Sequence, residues 1–461
     1  MYINALIKKF RKKKPLLFTT PGHIQGFHSR AEFAENFGGR LFQGDFAEID
    51  GMDNLQNPSG AILKSLQKTA EIYGTKASFY LINGSSSGII AMILATVKRG
   101  EKILLARNVH KSVVNALILS GAMPVWLETE WEENWHIPSC ANPLKIAQKL
   151  DENPDIKALL ITSPTYEGIA SDIKAVSEIC RKKNIIFLVD EAHGALWNFS
   201  DLLPVSSMRL GADACVQSLH KTGSCLNQGA ILHLCPHSRL DPQEIQQVLN
   251  IINTTSPSYI LLSSIEASVN HLNSQKGREK LNHLIENIEK TKKRLKEHTN
   301  AVFLENADCF LHDPTKIFFG LKDVSGEDLS DFLQDKHNIE VEMVNDKGVL
   351  ALAGIGSEKK HLEKLTNSVI KANKKLQKNY KEKNITPFVL PQTAFTPSEA
   401  FCREFERINI NQALGEISHE TIVKYPPGIP LIISGEIIKQ EHINILKDRQ
   451  EIKVVKKYTL K

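Results

Sequence analysis

The chain has 461 residues, 42% hydrophobic and 24% charged, with a formal net charge of +5. That length exceeds one ordinary core, so two or three domains are expected. The charge is too mild to imply a nucleic-acid partner, and no run approaches the roughly 18 consecutive apolar residues of a membrane span. Seven scattered cysteines without a CxxC pair argue against a disulfide framework or a metal site and for a reducing, cytoplasmic setting.

In chain order, "MYINALIKKFRKKKP" carries a basic cluster with no long apolar stretch behind it, so it reads as a solvated arm and not a secretory signal. Residues 1–60 read as an N-terminal arm with loops, because "TTPGHIQGF" and "EIDGMDNLQNPSG" are rich in Gly, Pro, Asn and Asp. From Ala61 strands and helices alternate. "ASFYLI" (77–82) predicts a strand, "NGSSSG" a turn and "IIAMILATVKRG" a helix closed by Gly100. The short apolar runs 102–106, 123–128, 157–163, 185–190, 212–218 and 229–234 predict further strands, with a helix over 172–184 between two of them. This alternation predicts an α/β fold with a mainly parallel sheet covered by helices, whose function gathers at the C-terminal strand ends. That large domain is expected over 61–275. A long charged helix (275–298) opens a smaller α+β region over 276–384, with strands at "KIFFGL" and "IEVEMV". A C-terminal subdomain spans 385–461.

"FLVDEAHGAL" (187–196) admits two chemistries. Asp190-Glu191-Ala192-His193 spells the acidic box of an ATPase, but that reading needs an upstream GxxxxGK[ST] phosphate loop, and no Gly-Lys-Ser or Gly-Lys-Thr occurs. The alternative is a pyridine ring whose nitrogen faces Asp190, because a nearby carboxylate favours the protonated ring. Such a cofactor, pyridoxal 5'-phosphate, needs a lysine for a Schiff base. "ADACVQSLHKTG" supplies Lys221 at a strand end, with Ser218 and His220 beside it to grip a phosphate. "NGSSSG" at a helix start offers backbone N–H groups with Ser85 and Ser86 as an anion site. His110 in "ARNVHKS" is placed to lie on the ring face. Each piece alone has an ordinary structural reading; the set, in this order and at strand ends, points to the cofactor.

Those stretches resemble the Orn/Lys/Arg decarboxylase family, the fold-type-I pyridoxal-phosphate enzymes acting on basic amino acids, in a short form without an N-terminal wing domain. The likeness runs nearly end to end through "TPGHIQG", "EIDGMDNLQNPSG", "FYLINGSSSGIIAMI", "ARNVHKSVVNALILSGA", "SPTYEG", "VDEAHGA", "GADACVQSLHKT", "TTSPSYILLSSIEAS" and "YPPGIPLIISGE". It implies decarboxylation of arginine, lysine or ornithine toward a polyamine precursor. Lys221 would form the Schiff base, Asp190 would pair with the ring nitrogen and His110 would stack on the ring. His193 would line the same pocket, and Ser85, Ser86, Ser218 and His220 would hold the phosphate. It further implies a homodimer or higher homo-oligomer with the site at the subunit interface, which "SPSY" (256–259) would reach from a neighbour. Glu436 in "ISGE", with Asp53 behind it, is the candidate partner for the cationic end of the substrate.

The chain departs from the family pattern in four loops. "HKTGSCLNQ" replaces the usual "HKTLPALTQ", so Gly223 is expected to loosen the backbone after the lysine. Ile24 stands where "PGHKGG" has Lys, Gln56 where His is common and Ser398 where Arg is usual. Two other readings therefore stand beside decarboxylation: another fold-type-I reaction, such as transamination or lyase chemistry, and a non-catalytic cofactor-binding paralogue.

Overall fold

The computed structural model describes residues 1–13, 16–23, 35–377, 380, 390–424 and 428–457. Ile24 and the Tyr425–Pro427 start of "YPPGIPLIISGE" lie outside them. Along the chain come α1 (Tyr2–Lys13), α2 (Ala61–Tyr73), β1 (Ala77–Leu81), α3 (Gly84–Thr96), β2 (Lys102–Ala106), α4 (Lys111–Ser120) and β3 (Met123–Leu127). Next are β4 (Ile156–Thr162), α5 (Ile173–Lys182), β5 (Ile186–Asp190), β6 (Ala214–Gln217), α6 (Leu219–Thr222) and β7 (Ala230–Leu234). Helices α7 (Tyr259–Asn273) and α8 (Gln275–His298) lead into β8 (Ala301–Phe303), β9 (Lys316–Leu321), α9 (Gly326–His337), β10 (Met343–Val344), β11 (Val349–Leu352) and α10 (Lys359–Lys375). No helix among the described residues is long and apolar enough to cross a membrane.

The chain divides into two compact units, each built from separated stretches. One comprises Met1–Ala91, Glu191–Leu284 and Gly354–Gly356; the other comprises Met92–Asp190, Ile285–Ala353 and Ser357–Lys461. In the second unit β3, β2, β4 and β5 are parallel neighbours in that order. The Leu/Ile/Val-rich runs of β2, β4 and β5 are largely buried on both faces, as a helix-covered parallel sheet requires, while β3 at the edge is partly exposed. The helices between them are cut by local chemistry. Asp172 caps α5 by accepting the Ala175 N–H at 3.0 Å, and Ile173, Val176 and Cys180 turn one face inward. In the first unit β1, β7 and β6 are antiparallel neighbours, so the 229–234 run joins its partners in the opposite sense to the parallel set.

The predicted strand at "IEVEMV" shrinks to Met343–Val344, which pairs with β11. With β8 and β9 it completes an antiparallel four-stranded sheet in the order β8-β9-β11-β10. The C-terminal stretch closes on its own core of Ile410, Ile422, Ile432, Ile438, Ile452 and Val454. The basic N-terminus is not a solvated arm: it forms α1, which buries Ile3, Ile7 and Phe10. The carboxylate of buried Glu266 accepts the N–H groups of Tyr2, Ile3 and Asn4, satisfying the donors that a helix start leaves unpaired. The 3-7-10 spacing of apolar residues carried that helix, beneath the more conspicuous lysines.

Candidate active site

In the first unit, β6 runs into α6 and places Lys221 on a four-residue helix. That helix is pinned on several sides. The N–H of His220 donates to the Gly229 carbonyl at 3.0 Å, Lys221 N–H to Ser218 at 3.2 Å, and Ile355 N–H to Thr222 at 2.8 Å. Gly223 does not loosen it. The residue has φ −79° and ψ −175°, and a Cβ there would lie 2.7 Å from the Leu219 carbonyl oxygen and 3.1 Å from Ser268 Oγ. Glycine is present because the helix end packs too closely for a side chain.

Lys221 Nζ lies 2.6 Å from His193 Nε2. Two nitrogens at that distance cannot both be bare cationic donors, so an ammonium facing an imidazolium is disfavoured. Beside them, Ser218 Oγ donates to Ser85 Oγ at 2.8 Å, and Ser85 and Ser86 sit in the first turn of α3. The first backbone N–H groups of a helix have no partner within it and favour an anion. Gly88 lets α3 come this close, since a Cβ there would be 2.6 Å from Leu81 Cδ1 and 2.7 Å from Val216 Cγ2. His220 Nδ1 faces the Gly229 carbonyl at 3.0 Å, and burial pushes its pKa down, with the carbonyl partly offsetting this. Nδ1 is thus the donor, and Nε2 can donate to a phosphate only in the cation.

Glu191 carries no exposed surface. It accepts Ser206 Oγ–H at 2.6 Å, Ser207 N–H at 2.7 Å and Gln217 Nε2–H at 2.6 Å. It thereby fastens the turn that holds His193 to β6, a role the sequence pattern did not disclose.

In the second unit, Asp190 ends β5 and is buried; its backbone carbonyl accepts the Ser163 N–H at 3.0 Å. His110 is the N-cap of α4, where Nδ1 accepts the Ser112 N–H at 3.2 Å, fixing the ring with its proton on Nε2. Glu436 is buried against Arg107, with Nη2 to Oε2 at 3.2 Å. Sequence reasoning missed Arg107, which stands one residue after β2 in the same "ARNVH" that supplied His110. Asp53, in the first unit, has both oxygens committed to four backbone N–H groups, of Asn54, Ser59, Gly60 and Ile62. Tyr259 of "SPSY" turns inward, where its hydroxyl accepts the Asp53 N–H at 3.0 Å, while Ser256 and Ser258 are exposed. The tyrosine's burial follows from its place at the start of α7, which Ser258 caps. Gln56 donates its N–H to Asn54 Oδ1 at 2.7 Å, and Ser398 is buried in the short helix Pro397–Phe401.

The models of the Orn/Lys/Arg decarboxylase major domain and C-terminal domain match residues 2–323 and 374–453. The chain belongs to the Orn/Lys/Arg decarboxylase family. A protein named arginine decarboxylase from Bacillus subtilis (strain 168) is 32% identical over 450 residues, covering 95% of this chain and 91% of its own. One of the same name from Bacillus anthracis is 33% identical over 454 residues, with the same coverage. The solved structure of lysine decarboxylase A from Pseudomonas aeruginosa superposes with a TM-score of 0.85 at 19% identity, over 99% of this chain and 80% of that one. The fold is therefore that of fold-type-I pyridoxal-phosphate enzymes, and this family member is a pyridoxal-phosphate-dependent decarboxylase. Groups of the kinds that cofactor needs are present: in the first unit an amine beside paired hydroxyls at a helix start, and in the second a buried carboxylate at a strand end.

Proposed function

We propose that the protein decarboxylates arginine. The observation that carries the substrate class is a buried acceptor without a donor: Glu436 Oε1 is inaccessible to solvent and has no hydrogen-bond partner. Such an atom costs free energy unless a ligand or water supplies a donor, and a cationic side chain is the natural one. The choice of arginine among basic amino acids rests on the relatives named arginine decarboxylase, which match across nine-tenths of both chains.

In this reading Lys221 carries the cofactor. Bound pyridoxal phosphate supplies the electron sink for the bond to the departing carboxylate. Asp190, desolvated at its strand end, holds a proton on the ring nitrogen. His193 Nε2 takes the proton that Lys221 Nζ must lose before the amine can react. Ser85, Ser86, Ser218 and the cationic form of His220 grip the phosphate, and His110, fixed by its cap bonds, offers a flat face. Glu436 receives the guanidinium. Asp53, with its oxygens occupied, instead shapes the loop before α2. Assembly as a homodimer or larger homo-oligomer, with Ser256 and Ser258 facing a neighbouring copy, belongs to the same proposal.

The test is CO₂ release from protein saturated with pyridoxal phosphate and offered arginine, lysine and ornithine separately, with Lys221→Ala alongside. Release from arginine, lost in the variant, is expected. Release from lysine or ornithine alone would overturn the substrate, and silence with all three would overturn the reaction.

A further inference from the structure

His110 caps α4 in a way that the helix alone does not call for. Ser, Thr, Asp and Asn are the residues preferred at such a position. Here an imidazole fills it, at φ −70° and ψ 152°, and a serine stands two residues further on. The backbone around the ring is fixed on both sides. The His110 carbonyl accepts the Val113 N–H at 2.9 Å, and Lys111 N–H donates to the Gly428 carbonyl at 3.2 Å. Only the side-chain torsions remain, and the terminal torsion of a histidine is broadly distributed. Ser112 removes that freedom. Its N–H reaches His110 Nδ1 at 3.2 Å, and its Oγ lies 2.8 Å from the same nitrogen. The N–H can only donate, so Nδ1 is the acceptor and the Oγ–H donates to it as well. Ser112 is buried, whereas His110 is half-buried and keeps part of its surface open.

We infer that Ser112 is a positioning residue for the imidazole that faces the cofactor: two donors of one buried residue converge on Nδ1 and set the plane of the His110 ring before the cofactor arrives. The inference rests on the assignment of His110 to the ring face. Aromatic rings attract one another only in particular relative orientations. A ring already held in its plane loses no torsional freedom on binding, so the affinity gained by contact is kept. The hydroxyl is the nearer of the two donors, and it is the one a substitution can remove, since the backbone N–H stays in every variant. The choice of capping residue is explained on the same terms. Asn or Asp would cap α4 better but would offer no aromatic face, so a local rule is broken where the chemistry calls for a ring.

The experiment titrates the full-length protein with pyridoxal phosphate and records the dissociation constant and the visible circular dichroism of the bound cofactor. The variants are Ser112→Ala, Ser112→Thr, His110→Ala and the double variant Ser112→Ala/His110→Ala. Ser112→Ala is expected to weaken cofactor binding by about threefold or more and to diminish the dichroic band, which reports a fixed surrounding of the ring. His110→Ala is expected to weaken binding by about tenfold, and adding Ser112→Ala to it should change the constant by less than about twofold, because Ser112 acts only through the imidazole. Ser112→Thr keeps the hydroxyl and is expected to stay within about twofold of the wild type. A merely structural serine would cost the same factor in both backgrounds, and that result overturns the inference. So does a wild-type constant in Ser112→Ala, or a loss in Ser112→Thr as large as in Ser112→Ala. An unchanged constant in His110→Ala overturns the placing of His110 on the ring face, and this inference with it. Should Ser112→Ala fail to fold, Ser112→Cys keeps the size of the side chain with a weaker donor. It must weaken binding in the same direction, and a wild-type constant there is equally fatal.

Discussion

Restoring the family's usual leucine at Gly223 should damage the protein. The backbone conformation there is open to any residue, so the obstacle is space alone. A Cβ would meet the Leu219 carbonyl oxygen at 2.7 Å, Ser268 Oγ at 3.1 Å and Leu219 Cγ at 3.3 Å. None of these yields readily. The carbonyl already accepts the N–H of residue 223 at 2.9 Å, Ser268 Oγ accepts the Ser224 N–H at 3.1 Å, and Leu219 is fully buried. Forcing one methyl into such a site costs about 1–3 kcal/mol, against which the stiffer unfolded chain returns about 0.4–1 kcal/mol. Gly223→Ala should therefore lose roughly 1–2 kcal/mol, and Gly223→Leu more. The strain falls two residues from Lys221, so kcat should drop along with the urea midpoint, both measured with cofactor bound. A Gly223→Ala variant as stable and as active as the wild type would refute the claim that packing holds this helix.

Three further outcomes are expected. His193→Gln should slow the uptake of pyridoxal phosphate by Lys221 and move its rise to higher pH, because water must then accept the lysine proton; the growth of absorbance on mixing across pH 7–9 checks this, and an unchanged profile counts against the Lys221–His193 contact at 2.6 Å. Glu191→Ala leaves three buried donors without their acceptor, at about 1–3 kcal/mol each, so the urea midpoint should fall sharply even though no catalytic group is altered. His233, buried beside Ser78 Oγ at 2.8 Å, has its pKa pushed down to about 3, so it stays neutral in the fold and takes a proton in the unfolded chain near 6.5. The unfolded state then binds more protons, and the contribution of His233 is lost as pH falls below 6.5, at up to about 1.4 kcal/mol per pH unit. The stability gap between wild type and His233→Asn should narrow by about 2 kcal/mol between pH 6.5 and 5, and a constant gap would contradict that burial.

What the sequence disclosed and what it hid divide along physical lines. Strands 102–106 and 316–321 were legible to the residue because short apolar runs between polar turns leave few alternatives. The helix over 275–298 was equally plain, since 24 residues of regular periodicity average out local noise. "IEVEMV" misled because alternation scores as strand whether or not a partner edge is free for its whole length. Residue types that do chemistry stood out in the sequence: Lys221, Asp190 and the serines. Arg107 and Glu191 did not, because their meaning lies in partners 329 and 15 to 26 residues away. Gly223 was misread for a related reason. Glycine announces freedom when only the chain is in view, and lack of room once its neighbours are.

The same distinction decides between the two chemistries of "VDEAHG". In an ATPase acidic box the Asp helps hold the magnesium ion, and the Glu must keep an oxygen free to orient the attacking water. Glu191 cannot do so: Oε1 already takes two donors and Oε2 a third, all from protein. Burial pushes its pKa up, opposed by those same bonds, so the site does not favour the concentrated negative charge that would draw a metal ion. The glutamate is a fastener. It ties the turn after β5 to Ser206, Ser207 and Gln217, and that turn carries His193 to Lys221. The acidic pair therefore divides: Asp190 is the proposed partner of a ring nitrogen, and Glu191 is consumed in holding the turn that carries His193 to Lys221.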